Sequence, residues 1–212
     1  MNDFCANIDG RFGQGFAQKV QTLIATYRQT QDLGIFKEFA FVVHDHTEFG
    51  KQDKHFYQRQ ILMLLLSYDV NRSDKALIRW LIVEFCKNIK ADFWVDLRSV
   101  MALLGFMLYE MMDNEDLPYL YMTKFGACSD SFYSVDTEIV MGFGEQETLT
   151  YLKNKQGRKH KILAKTLKAY RKNGAELRSH DEYCKFFREH RFAMRQKEIA
   201  TDCGLIDDDE LF

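Results

Sequence analysis

The chain has 212 residues, 46% of them apolar, and a formal charge of −2. It is long enough to bury roughly 70% of its unfolded surface without a disulfide or metal staple, and its charge provides no global field for nucleic acid or membrane. Five scattered cysteines with no CxxC pair (Cys5, Cys86, Cys128, Cys184, Cys203) argue against a disulfide framework and for reduced thiols.

The start, MNDFCANIDGRF, has neither a basic cluster nor an apolar run, so no signal peptide is expected. Its glycines, in "DGRFGQG", read as a flexible lead-in, because neither a preceding strand nor a GK[ST] accompanies them. A first helix is predicted over about residues 16–31, where Val20, Leu23, Ile24 and Tyr27 make one apolar stripe, with Gly34 as its breaker. A second helix is expected over 35–44, with a strand through "EFAFVV" as the alternative. A third runs over about 54–68. The turn "DVNRSD" follows, with Ser73 as the cap of the next helix and Asp74 at its positive end. That helix reaches about residue 90. The stretch from 100 to 112 is apolar almost all round and reads as the central helix, though too short for the roughly 18 residues of a membrane span. Pro118, the one proline, belongs in the first turn of another helix. Short helices are expected near 134–141 and 145–153, then an exposed joint, "NKQGRKH". Two or three closing helices follow, one with a capping box at Ser179 and Glu182. Period-2 alternation is not sustained anywhere.

The expected fold is therefore all-α: one domain over 1–212, with stacked antiparallel helix pairs as a HEAT-like α-solenoid core over about 54–153, or an irregular helical bundle. A basic helix and acidic-tailed closing helices occupy 154–212. No sequence repeat at a fixed period is visible.

The stretch that most resembles chemistry is "FVVHDHTEF". On a helix, His44 and Glu48 share a face. On a strand His44 and His46 do, and with His55 they could ligate a metal for hydrolysis. Neither HExxH nor a Glu-x-x-His pair is present, so a polar helix end and loop is expected, with no metal and no cofactor. No GxSxG elbow occurs, and Cys86 and Cys128 read as small hydrophobes. Glu115, Asp116, Asp130, Asp136 and Glu138 could serve as an acid and a base, but caps at helix starts are the expected role. No catalytic residue is assigned. From 148 to 175 there is no acidic residue, and the basic run over 153–172 forms an amphipathic helix whose outer face could track a phosphate backbone.

The block "DLPYLYMTKFGACSDSFYSVDTEIVMGFGEQETLTYLKN" resembles one in small helical bacterial proteins with HEAT-like packing, among them immunity proteins encoded beside polymorphic toxins. The matching features are Asp-Leu-Pro at 116–118, Lys124-Phe125, Asp130, Val135-Asp136, Gly142, Gly144, and Thr148-Leu149 before Tyr151-Leu152. The resemblance covers about residues 92–153 and leaves out the histidine cluster and the carboxy-terminal part. It implies a cytoplasmic, non-enzymatic protein that binds and neutralises a cognate toxin. Tyr119, Tyr121, Asp207, Asp208, Asp209 and Glu210 are the contact residues expected of it. A nucleic-acid-binding helical protein and a metal-dependent hydrolase on His44, His46 and His55 are the alternatives.

Overall fold

The computed structural model describes residues 2–46, 50–91, 93, 95–126, 134–142, 144–154, 157, 161, 164, 165, 167–169, 172 and 177–207. The amino-terminal lead-in is itself a helix, α1 (Asn2–Phe12). Its Asp9 carboxylate accepts from the backbone N–H groups of Gly15 (3.0 Å) and Ala17 (2.9 Å), so it caps the next helix from outside that helix. Helix α2 (Phe16–Thr30) buries Ala17, Val20, Ile24 and Tyr27 along one stripe. It ends at Gln31, whose left-handed φ of 55° lets its N–H reach the Tyr27 carbonyl; Gly34 plays no part in the stop.

No α-helix forms over 35–44. A 3₁₀ segment occupies Leu33–Phe39, and the chain then runs extended into a hairpin of β1 (Val43–His46) and β2 (Gly50–Asp53). The reason is tertiary. The Phe41 N–H is taken by the Glu84 carboxylate (2.7 Å) on a distant helix, and β-branched Val42 and Val43 suit extended backbone.

Helix α3 (Phe56–Ser67) is buried on nearly every side. Helix α4 (Lys75–Lys90) follows the "DVNRSD" turn, and α5 (Arg98–Glu110) buries every residue from Val100 to Tyr109, as expected of the central helix. Helix α5 packs against α3, α4 and α6 (Leu117–Phe125), and against the closing helices α8 (His180–His190) and α9 (Phe192–Asp202). Between these lie a 3₁₀ segment (Thr137–Met141) and helix α7 (Glu145–Asn154). The Ser179–Glu182 capping box forms, and Pro118 sits in the first turn of α6. Phe106 of α5 stacks on Phe187 with centroids 4.1 Å apart, and Phe192 meets it edge-on. Two large core faces thereby join.

The helices before the closing pair are linked by one device used twice. In Asn71–Asp74 and again in Asp113–Asp116, a reciprocal capping box turns the last acid inward at a helix start. Asp74, with no exposed side chain, accepts Arg28 Nε and Nη2 of α2 (each 2.9 Å). Asp116, equally buried, accepts Arg79 Nε (2.5 Å) and Lys75 Nζ (2.7 Å) of α4. Each buried acid takes its cation from the helix two positions back, so α2, α4 and α6 are tied in series, with α3 and α5 alternating between them. Ser73, expected as the cap, instead donates to Asn71, which is the true cap.

Candidate functional site

The histidine stretch lies on a strand, which corrects the expected polar helix end. Within the hairpin, Val43 faces Asp53, His44 faces Gln52, Asp45 faces Lys51 and His46 faces Gly50. His44 is exposed on this strand, and His46 stands two positions further along it. His55 is drawn away from them: its Nδ1 lies 2.9 Å from the Ala40 carbonyl. The side chain of His46, and all of Glu48, lie outside the described residues. Among the described residues no group of three or more His, Cys, Asp and Glu side chains converges on a metal position.

Beneath the hairpin is a pedestal that composition alone does not reveal. Arg59 of α3 and Asp53 of β2 form an ion pair with neither side chain exposed. Arg59 Nη1 also donates to the Phe39 carbonyl (2.9 Å), and its guanidinium covers the Phe85 ring at 5.0 Å. Asn88 Nδ2 donates to Asp53 (3.0 Å), and Asp53 in turn accepts from the His55 N–H (3.2 Å). A buried pair survives desolvation only with such extra hydrogen bonds. Here they lock the base of the ribbon to α3 and α4. Above the pedestal, Val42, Val43 and Tyr57 stand 43–49% exposed.

The acid pairs separate into different roles. Asp113 is the cap, accepting the Glu115 N–H, while Asp116 accepts the Asp113 N–H in return and pairs with Arg79 and Lys75; Glu115 is exposed. Asp136 and Glu138 do not cap. Asp136 makes no cap bond and accepts the Tyr183 hydroxyl (3.1 Å); buried Glu138 accepts Arg178 Nη1 (3.1 Å). Lys124 is buried beside them and donates to the Val135 carbonyl (2.5 Å). Burial lowers its ammonium pKa, against the pull of Asp136 and Glu138. Burial also raises the Tyr183 and Tyr109 hydroxyls, and the neighbouring Asp136 carboxylate raises Tyr183 further. Both phenols stay protonated at neutral pH, and Tyr183 donates, tying α8 to the 3₁₀ segment. Asp130 lies outside the described residues.

On α8 a Cys–His–Asp set comes together. His180 Nδ1 is 3.2 Å from Asp181 Oδ1, and its Nε2 is 3.9 Å from Cys184 Sγ. That Nε2 is also 3.0 Å from the Tyr109 carbonyl, which can only accept, so Nε2 carries a hydrogen and offers the thiol no lone pair. Burial pushes the Cys184 thiol up to about 12, so it is not a poised nucleophile. Cys86 is buried as expected; Cys128 lies outside the described residues.

Of the expected contact residues, Tyr119 is half-buried under the Arg79 guanidinium, 5.5 Å from its centroid, and Tyr121 is half-buried against Phe125. Asp207 is exposed, and Asp208, Asp209 and Glu210 lie outside the described residues. In the basic run, Lys153, Lys161, Lys165, Lys168 and Lys172 are exposed and Leu167 is fully buried; most of its other members lie outside the described residues. Among the described residues no helix is long and apolar enough to cross a membrane. No protein-family model, no curated protein and no solved structure matches this chain.

Proposed function

We propose that the chain is a non-catalytic protein-binding module and, following the resemblance over residues 92–153, an immunity protein that neutralises a cognate bacterial toxin. One observation carries this reading: the buried acids are committed to holding helices together. Asp53, Asp74, Asp116 and Glu138 each accept from a cation or backbone group of another element, which makes the outer contour rigid. A rigid contour reduces the entropy lost on docking. Tyr119 under Arg79 is the proposed anchor, since tyrosine and arginine dominate binding hot spots. Tyr121, two positions on and packed on Phe125 at another face of α6, and exposed Asp207 are proposed as further contacts.

The test is co-expression with the product of the neighbouring gene. A stable one-to-one complex is expected, and Tyr119→Ala should weaken it by about 2 kcal/mol, roughly thirtyfold, without moving the unfolding midpoint much. Two proteins that elute separately at micromolar concentration would remove the reading. A second reading, nucleic-acid contact through residues 153–172, is favoured by the exposed lysines opposite buried Leu167. It requires binding of a short duplex that weakens steeply as salt rises.

A further inference from the structure

Where α2 meets the end of α3, the surface opens into a cavity of about 330 Å³. Ile24 of α2 and Leu65 of α3, both buried, make its floor, and exposed Ala25 lines it. Tyr68, half exposed, gives it an aromatic wall. The volume falls at the lower end of the range for small-molecule sites, ~300–1,000 Å³. It is also about twice the ~150 Å³ of an apolar cavity that holds benzene.

Charge around the cavity is unbalanced. Arg28, the cation of its lining, is bracketed by two acids. Its Nε and Nη2 donate to Asp74 (each 2.9 Å), and its Nη1 and Nη2 donate to Asp69 Oδ2 and Oδ1 (2.7 and 3.0 Å). Among the described residues neither acid has a second cation within ion-pair distance, so one cation against two carboxylates leaves one negative charge. The Asp74 side chain is sealed, whereas that of Asp69 is 65% exposed, so the surplus is presented at the cavity. The Arg28 hydrogen bond holds the Asp69 carboxyl below its ordinary value, which keeps it ionised at neutral pH. Helix α3 ends here with no basic residue in its last turn, and its carboxy-terminal dipole adds to the same sign.

We propose that this cavity binds a small free aralkylamine, its ring against Ile24, Leu65 and Tyr68 and its ammonium on Asp69. An anion meets the surplus charge and is rejected. A guanidinium is a poorer fit than an ammonium, because Arg28 already pairs with both Asp69 oxygens fork to fork. A compact ammonium with three rotatable donors uses the lone pairs that remain. Tyr68 offers the ring an aromatic partner and the cation a π-face. A lysine side chain carries the same ammonium, but its unbranched stem leaves the aromatic wall uncovered and the cavity part empty. The site belongs to α2 and α3, not to the α6 surface of Tyr119, so it stands or falls apart from the toxin-binding test.

Titration of the full chain with phenethylamine, followed by amide shifts in two-dimensional NMR, tests this. Saturable shifts are expected at Ala25, Leu65 and Asp69, with a Kd of about 1 mM or tighter. Hydrocinnamate, an aromatic body of similar size with the opposite charge, should show no saturation there. Nα-acetyl-lysine methylamide, which presents the lysine stem on a peptide backbone, should bind more weakly than the amine. Asp69→Asn keeps the shape and removes the charge, and should weaken phenethylamine about tenfold or more. Ala25→Phe fills the cavity from an exposed position without touching the ion pairs, and should abolish binding. Both variants should keep the helical circular dichroism of the original. The absence of saturable shifts at these residues, hydrocinnamate bound as well as the amine, or unchanged binding by Asp69→Asn each overturns the proposal. Tighter binding of the lysine derivative overturns the free amine as occupant.

Discussion

Two glycines set the packing distance of the α5–α6 unit. Gly105 lies inside α5, where helix propensity alone favours alanine by about 1 kcal/mol. A Cβ there would come within 2.9 Å of Thr123 Oγ1 and 3.5 Å of Ile139 Cδ1. Gly142, at φ +63°, would bring a Cβ within 2.6 Å of Thr148 Oγ1 and 3.2 Å of Leu117 Cδ2. Gly105→Ala is therefore expected to lower stability despite its propensity. Gly142→Ala should cost more, about 2 kcal/mol or above, because strain and overlap add. Urea denaturation checks the order. Arg59 is the other decisive residue. Arg59→Ala leaves Asp53 buried without its cation and should cost about 3–5 kcal/mol. Adding Asp53→Ala should recover part of that loss, so a double-mutant cycle will show strong coupling. If the single changes add independently, the pedestal is not a unit.

At the scale of elements, the ties between helices divide into buried and exposed kinds, and acid separates them. Hydrogen bonds from Arg28 and Lys75 hold Asp69 and Asp113 below their ordinary value of 3.8. Carboxylates lowered in the folded state contribute stability above the unfolded pKa, and that stability is lost as pH falls through the lower folded value. The unfolding midpoint should thus decline below about pH 4, and Asp69→Asn with Asp113→Asn should flatten the decline. Both side chains are more than half exposed, so each pair contributes less than about 1 kcal/mol. The aromatic seam between α5 and the closing helices is worth more. Phe106→Ala removes the stack on Phe187 and should cost about 3–5 kcal/mol in the same denaturation assay.

Over the whole molecule, the two ends of the chain are stitched into one body. Asn7 Nδ2 donates to the Leu205 carbonyl (3.0 Å), Gln196 Nε2 to Ser67 Oγ (2.7 Å) and Cys203 Sγ to Gln60 Oε1 (3.1 Å). Helices α8 and α9 cover α5, the most buried helix. A chain ending after residue 177 should lose its single cooperative unfolding transition and bind a hydrophobic dye, because Phe106 and its neighbours become wet. A truncated chain with an unchanged sharp transition would mean that the closing helices are an appendage.

The helices were legible because apolar periodicity, a single proline and local caps such as Ser179–Glu182 act within a few residues of one another. The serial tie was legible only in part. Asp74 and Asp116 can be read as helix-start acids, but their cations come from the helix two positions back, and no local pattern specifies that. Residues 35–46 show the same limit. Taken alone, their apolar and aromatic content suits a helix or a strand equally, and the choice fell to Glu84 and Arg59, which claim the Phe41 amide and the Phe39 carbonyl from distant helices. Likewise, Asp136 and Glu138 look like caps in sequence and become partners of Tyr183 and Arg178 only when α8 folds back. The sequence by itself determined the long helices from Phe16 onward, whose stripes and caps depend on neighbours along the chain, but not the helix at the start or the extended run after residue 40. Tertiary structure alone decided where the buried charges pair, since those pairs depend on groups that meet only when distant segments pack.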